Sequence, residues 1–410
     1  MVVMLAAAVA VPVAVAANSN PAPTKLSLPQ ALLLAEQRAP SLVARQSAFD
    51  SAQVARPAAG HLPDPKLTIG VDNYPVSGPD RFSWNRDSMT MRRVGLMQDV
   101  PNAAKRAAQR DGAEAKAARE QALWQAERLA VRREAAAAWI NRHYAERKLA
   151  EFAVLERENQ VLQQTLAVRI ATGKSMPADA TMARQELLML AERREELASA
   201  VEQTGVALRR WIGEAVEHTT GEMPVIELDT ASLLGRLDRH GELIVFAPAL
   251  AMARAEVDEA SAGTHGDWGW EVGYGNRSRA YGGMVSFQLT FELPLSSATR
   301  QDPQIAARRK DIERLEAERE DVLRRIDAEV RSQMSELQRL ESAALRQRTA
   351  AMPLAAERVK LTLTSYEAGR ADLGAVLAAR KDAAEVQLRA LDLEAQLMAQ
   401  RARLAYLVSE

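Results

Sequence analysis

Four sets of residues have types and spacings that chemistry could use. Gly173-Lys174-Ser175 reproduces the end of a phosphate-binding loop, in which backbone N–H groups and a lysine cradle an anion. The earlier glycine such a loop requires falls on Val168, and a helical rather than a strand pattern precedes it, so the motif fails. Gly273-Tyr274-Gly275 sits within a strand pattern and reads as hairpin glycines. The five histidines are scattered with no pair at metal-ligand spacing, and His143 reads as a helix-surface or interface residue. Thioethers suit soft cations such as Cu(I). Met182 and Met189 share a helix face, and Met89, Met91 and Met97 share a strand. Methionine in such places more often serves as adaptable packing. The absence of cysteine excludes disulfides, thiolate metal sites and cysteine nucleophiles. No set of residues converges on a reacting centre, so the expectation is a non-enzyme with no cofactor and no metal site.

The distinctive residues lie instead at turns that occur twice. Ala171-Thr172-Gly173-Lys174 returns as Glu367-Ala368-Gly369-Arg370, preceded by Tyr366 and followed by Asp372. Ala39-Pro40-Ser41-Leu42 returns as Ala247-Pro248-Ala249-Leu250, and Gln98-Asp99-Val100-Pro101 as Phe291-Glu292-Leu293-Pro294. Leu208 near the end of one half matches Leu404 in the other. Such self-similarity marks a duplicated unit. The expected organisation is a signal peptide at 1–17, a first repeat at 18–213, a connecting segment at 214–242 and a second repeat at 243–410.

Composition favours long packed helices over compact globules. Aromatics make up 4% of the chain, whereas charged residues make up 26%, the pattern of extended helical assemblies. Basic and acidic residues nearly balance, with a formal net charge of −1, so nothing electrostatic favours nucleic acid. Val2 to Ala17 is an apolar run ending in small residues before Asn18-Ser19-Asn20. It is too short for a comfortable membrane span and reads as a secretion signal cleaved near Ala16 or Ala17. No lysine or arginine precedes the run, so either the true start lies upstream or the signal is atypical.

Each half holds a helix, two strands, a very long helix, a glycine turn and another helix. Ser27-Leu28-Pro29-Gln30 reads as a helix start, with helix to about Ala59. Leu67, Ile69 and Val71 then alternate with polar residues, and a second strand spans roughly Met89 to Val100. From Ala113 to Thr172 there is neither Gly nor Pro, and a helix from residue 102 would measure on the order of 105 Å. Helix resumes after Pro177 to about Ile212, and a short helix is expected around Ala231–Leu237. In the second half, Trp268, Trp270, Val272 and Tyr274 share one strand face. On the partner strand, Tyr281, Gly283, Val285, Phe287, Leu289, Phe291 and Leu293 share another. The second long helix, Asp302 to about Ala368, carries a narrow stripe of apolar residues from Ile305 to Ala344 at coiled-coil spacing. Pro353 lies inside it and should bend or break it.

A strand pattern with one apolar and one polar face matches a transmembrane barrel strand. No segment after residue 17 is apolar enough for a membrane helix, so any crossing must use strands. Four strands cannot close a barrel, for which about eight is the practical minimum. Strands must therefore be pooled between subunits, two chains giving about eight and three about twelve.

With these features the chain resembles the TolC-type outer-membrane efflux factors, most closely the heavy-metal, CusC- and CzcC-like branch. The resemblance rests on Leu26-Ser27-Leu28-Pro29-Gln30-Ala31-Leu32, the hairpins ending at Pro101 and Pro294, the turns at Gly173 and Gly369, and Ala207-Leu208 through Gly213. Tyr366-Glu367-Ala368-Gly369-Arg370 is similar to the family's Tyr-x-x-Gly turn. The resemblance implies a mainly α fold with a small β part: long helical hairpins forming an α-barrel, and four strands per chain pooled into a homotrimeric twelve-stranded β-barrel. It implies an outer-membrane channel of a Gram-negative tripartite efflux system, set in outer-membrane lipid. A periplasmic adaptor and an inner-membrane RND-type pump are the implied partners, and heavy-metal cations the implied substrates. The tips carrying Gly173, Lys174, Tyr366, Gly369, Arg370 and Asp372 would then form the adaptor contact and gate. Asp372 also reads as an ordinary helix-start residue. The carboxylates that ring the aperture in the family are replaced here by Ala375, Leu377 and Ala378, and with no cysteine after the signal the chain would not be lipid-anchored. The competing readings are a soluble extracytoplasmic coiled-coil scaffold and a periplasmic adaptor subunit.

Overall fold

The computed structural model describes residues 25–173, 175–221, 229–277 and 281–408, leaving the signal-like segment 1–17 outside the described residues. A two-residue strand, β1 (Lys25–Leu26), leads into α1 (Leu28–Arg38). Gln30 Oε1 accepts the Ser27 backbone N–H at 3.1 Å, closing the first turn of α1. The expected helix to Ala59 is interrupted. Ala39 is extended (φ −62°, ψ 118°) and α2 starts afresh at Pro40, spanning Pro40–Ala55. The proline lacks a donor and excludes the helical conformation from the residue before it. Strands β2 (Lys66–Asp72) and β3 (Met91–Val100) follow, the second starting two residues later than expected because Thr90 instead bonds Asn73 O and Asp87.

Helix α3 (Ala103–Ala171) runs unbroken for 69 residues, about 104 Å at 1.5 Å per residue. Helix α4 (Pro177–Ile212) returns along it and stops at Gly213, whose φ of 80° suits a left-handed cap. Strand β4 (His218–Thr219) pairs in parallel with β1, and a short helix, α5 (Thr230–Gly235), follows. The second half supplies α6 (Phe246–Ala262), β5 (Trp268–Asn276), β6 (Gly283–Phe291), α7 (Gln301–Arg346), α8 (Met352–Glu367) and α9 (Leu373–Ala405). Between α7 and α8, residues Gln347–Ala351 form a π-helical stretch, and the Met352 N–H bonds to Gln347 O. Pro353 lies just inside α8. Widening the turn ahead of a proline absorbs the missing donor without a sharp break.

The stripe from Ile305 to Ala344 is inward throughout. Ile305, Ile326, Val330, Leu337 and Leu340 are buried, and Ile312, Leu315, Val322 and Ala344 are half-buried. Four apolar clusters lie along the helices: around Trp139 and Leu26, around Ile326 and Leu404, around Phe152 and Leu190, and around Tyr366 and Val376. The sheet runs β2-β3-β5-β6, all antiparallel, so β3 and β5 join the two halves of the chain.

Helices and sheet are joined at Asn102, which caps α3 by accepting the Lys105 N–H at 2.8 Å. Its side-chain amide also donates to Ala262 O and His265 O, across to the second half. Asp267, one residue before β5, accepts the Asn102 N–H at 2.9 Å and pairs with Lys105 Nζ at 2.8 Å. Burial alone would raise the Asp267 pKa, but the Lys105 and Asn102 hydrogen bonds outweigh it and hold the carboxyl below its ordinary 3.8. The ionised form is favoured in the fold, so its contribution is present above that value and is lost as pH falls through the lower folded one. Asp267→Ala should cost about 1–2 kcal/mol for this partly exposed, charge-assisted contact. Thermal unfolding should show a lower midpoint at neutral pH, with the deficit shrinking in acid; a pH-independent deficit would refute the ionic account.

Candidate functional site

The two helical hairpins end side by side. Gly173 and Gly369 both take left-handed φ, 71° and 72°, with nothing near where a side chain would begin. Their requirement is backbone conformation, not space. Tyr366, 6% exposed, sits in the apolar cluster of the tips with Leu166, Ala183, Leu373, Val376 and Leu377. Its hydroxyl lies 3.2 Å from Ser175 Oγ on the other hairpin. Arg169 covers its ring at 4.4 Å, a cation–π contact. Tyr366 therefore ties the α8–α9 tip to the α3–α4 tip within one chain. Asp372 Oδ1 caps α9 by accepting the Ala375 N–H at 2.7 Å. Arg370 is exposed, and its backbone N–H bonds Ser365 O at 2.8 Å. Lys174 lies outside the described residues. Thus Tyr366 and the two glycines come together, Asp372 serves its own helix, and the guanidinium of Arg370 has no ion-pair partner among the described residues.

At the opposite end of the molecule the sheet has two unlike faces. Register places Leu67, Leu96, Val272 and Phe287 in one row and Ile69, Val94, Tyr274 and Val285 in the next. All eight are exposed, Ile69 at 76% and Val285 at 74%. The reverse face carries Thr68, Gly95, Gly273 and Ser286 in one row, with Lys66, Met97, Glu271 and Gln288 in another. Such an apolar band is much larger than the scattered exposed residues of ordinary surfaces, and its opposite face is polar. Among the described residues no helix is long and apolar enough to cross a membrane.

A third locality was not singled out from sequence. Mid-way along α3, Trp139 is fully buried and donates its indole N–H to Leu26 O at 2.9 Å. His143 stacks on it at 4.9 Å and bonds Thr219 Oγ1 at 3.1 Å, so of the two expected settings, helix surface or interface, it occupies an interface, half-buried between α3 and β4. Arg142, 7% exposed, donates Nε to Glu146 at 2.6 Å and Nη2 to Glu217 O at 3.1 Å, while Nη1 reaches Val201 O. Glu146 also accepts the backbone N–H and hydroxyl of Thr219. This polar cluster holds the segment after α4 against α3. Its sequence signal was two i, i+4 pairs, Trp139–His143 and Arg142–Glu146, within a helix otherwise rich in alanine.

No protein-family model matches the sequence, and no curated protein matches it. Solved structures match in fold. The chain is similar to CusC, studied for folding and transmembrane channel formation, at 14% identity and a TM-score of 0.77, over 93% of this chain and 92% of that one. It is similar to the CmeC outer membrane channel of Campylobacter jejuni at 11% identity and a TM-score of 0.76, over 93% and 87%. The outer membrane protein VceC of Vibrio cholerae matches at 16% identity and a TM-score of 0.74, over 93% and 96%. The fold is therefore one that outer-membrane channel proteins share. The matches span several such channels, so the likeness to CusC singles out no branch.

The half-buried His143 generates a test. Burial, and secondarily the neighbouring Arg147, push His143 below its ordinary value of 6.5. The unfolded chain therefore binds this proton first as pH falls. Its contribution is full above 6.5 and declines as pH drops towards the folded value. Thermal melts on either side of that pH should separate more for the native chain than for His143→Gln. Identical pH slopes in the two would refute a half-buried imidazole held neutral by the fold.

Proposed function

We propose that the chain is the outer-membrane channel of a tripartite efflux system. Two repeats, 18–213 and 243–410, with 214–242 as the connecting segment and 1–17 as a cleaved signal, each supply one β-hairpin and one helical hairpin. Three copies pool their strands into a barrel of about twelve strands, with the helices forming a tunnel behind it. The observation that carries this reading is the sheet: an exposed apolar face, a polar reverse face, and strands β2 and β6 at its two edges, each paired on one side only. In lipid an open edge is not tolerated, and pairing β6 of one copy with β2 of the next removes both. The barrel sits in the outer membrane of a Gram-negative bacterium, and the helices lie in the periplasm.

A periplasmic adaptor and an inner-membrane RND-type pump complete the system, the adaptor meeting the tips around Gly173, Lys174 and Gly369. The tips also form the gate. Tyr366 holds the two hairpins together, and Arg370, with no ion-pair partner among the described residues, is available to an acidic group on a neighbouring copy. Heavy-metal cations are the substrates in keeping with the CusC- and CzcC-like resemblance.

Size measurement in detergent should give a particle of three protomers, and a monodisperse monomer without detergent would overturn the pooled barrel. Tyr366→Phe with Arg370→Ala should raise single-channel conductance in planar bilayers while assembly is retained. An exposed ion pair of Arg370 is worth only about 0–1 kcal/mol and the Tyr366 hydroxyl bond about 0.5–1.5 kcal/mol, but three symmetric copies act on a closely balanced gate. Unchanged conductance of correctly assembled particles would place the gate elsewhere. Loss of the gene should sensitise cells to copper, zinc or cadmium salts, whereas sensitivity confined to organic compounds would remove metals from the reading.

A further inference from the structure

The polar face of the sheet carries a charge arrangement that its position in a barrel does not require. Arg93 extends from β3 to Glu271 on β5, with Nη2 2.9 Å from Oε1. In register the two residues are offset, since Arg93 pairs with Gly275 and Glu271 with Met97. The side chain crosses that offset because Gly95 and Gly273 face each other between them. A Cβ on Gly95 would come 2.9 Å from Glu271 Oε1, and one on Gly273 would come 2.9 Å from Arg93 Nε. The glycines thus form the bed in which the ion pair lies.

Two further groups join it. Asp72 on β2 lies 3.7 Å from Arg93 Nη1, and Thr68 donates its hydroxyl to Glu271 Oε1 at 3.2 Å. The cluster spans three of the four strands. Its charges do not cancel, because one guanidinium faces two carboxylates. Elsewhere on this face Lys66 and Asp99 neutralise each other at 2.6 Å, and β6 offers only Met284, Ser286, Gln288 and Thr290. Among the strand residues of this face, one net negative charge per chain remains. It is held on half-buried side chains, 18% exposed at Glu271 and 28% at Arg93, where screening is weaker than in open solvent.

We propose that the Asp72–Arg93–Glu271 cluster is a fixed-charge level on the barrel wall that favours the passage of cations over anions. This rests on the channel reading, in which the polar face lines the lumen. Three copies would set three such charges around one level, and like-signed wall charge concentrates counter-ions in a confined path. Asp72, 41% exposed, faces solvent most, and Arg93 limits the field by neutralising one of the two carboxylates.

The test uses assembled full-length protein in planar bilayers under a potassium chloride gradient. Ionic strength is kept near about 0.01 M on the dilute side, where the screening length is about 30 Å. The native channel should be cation-preferring. Glu271→Gln should move the reversal potential towards anions, a change of about twofold or more in permeability ratio. Arg93→Gln should move it the other way, towards stronger cation preference. A purely structural role for the pair would give equal or same-direction shifts, and either result would overturn the proposal. Asp72→Asn removes a carboxylate without stranding the guanidinium, so it tests the sign if a Glu271 variant does not assemble. It should shift towards anions, and no shift would likewise overturn the proposal. Failure of the channel reading would look different: the native protein would carry no current at all.

Discussion

The sheet is the constraint on which the rest depends. Four antiparallel strands give every interior backbone group a partner but leave β2 and β6 each with an unpaired side. In water such edges could be hydrated, but the apolar rows running across all four strands mark this sheet for a medium that cannot hydrate them. On the channel reading proposed above, association is therefore a condition of the fold's use. The same constraint explains why β6 has no buried residue in the isolated chain. Its side chains and its edge await neighbours.

What connects that membrane-like end to the helices is a small number of polar contacts. Asn102 caps the longest helix and at the same time binds carbonyls from the second half of the chain. Asp267 reciprocates from the start of β5. One helix cap thus fixes how the first half's helix leaves the sheet relative to the second half's hairpin. Further along α3, Arg142 and Glu146 repeat the device with buried charge, each satisfied by backbone groups. Breaking such a pair is costly because it would leave a buried charge uncompensated. Between these anchors the helix packs chiefly through alanines, which permit close approach but specify little by themselves.

Local patterns made much of this legible in advance. Alternation marked three of the four long strands, glycine turns marked both tips, and the absence of Gly and Pro from 113 to 172 marked α3, because each reflects backbone chemistry that acts over a few residues. Pro353 announced an irregularity, although not that a π-helical turn would absorb it. Pro40 was the opposite case: the helical pattern on both sides outweighed the proline, and the break at Ala39 was missed. The tip contacts show where sequence runs out. Ser175 and Arg169 surround Tyr366 from another hairpin, and no periodicity connects residues 191 positions apart. Asp372 could be read either as a tether or as a helix cap. Its bond to the Ala375 N–H makes it a cap in the isolated chain.

The two tips also differ in what their packing permits. The α3–α4 hairpin runs to its turn without interruption, whereas the α8–α9 hairpin is reached through the π-helical stretch at Gln347–Ala351. A π turn shifts the phase of the helix, so the stripe that packs α7 need not continue into α8. Consistent with that, the buried residues of α7 end at Leu340, and α8 buries only Tyr366 at its far end. Most of α8 is thus attached to the rest of the chain through its tip, by Tyr366, and through α9, where Arg358 pairs with Asp382. An element held mainly at its ends can move with less loss of buried surface than one packed along its length. The asymmetry lies in α8 itself, since α9 buries twelve residues along its length and α8 only Tyr366, so α8 is the member of that hairpin with the least packing to lose.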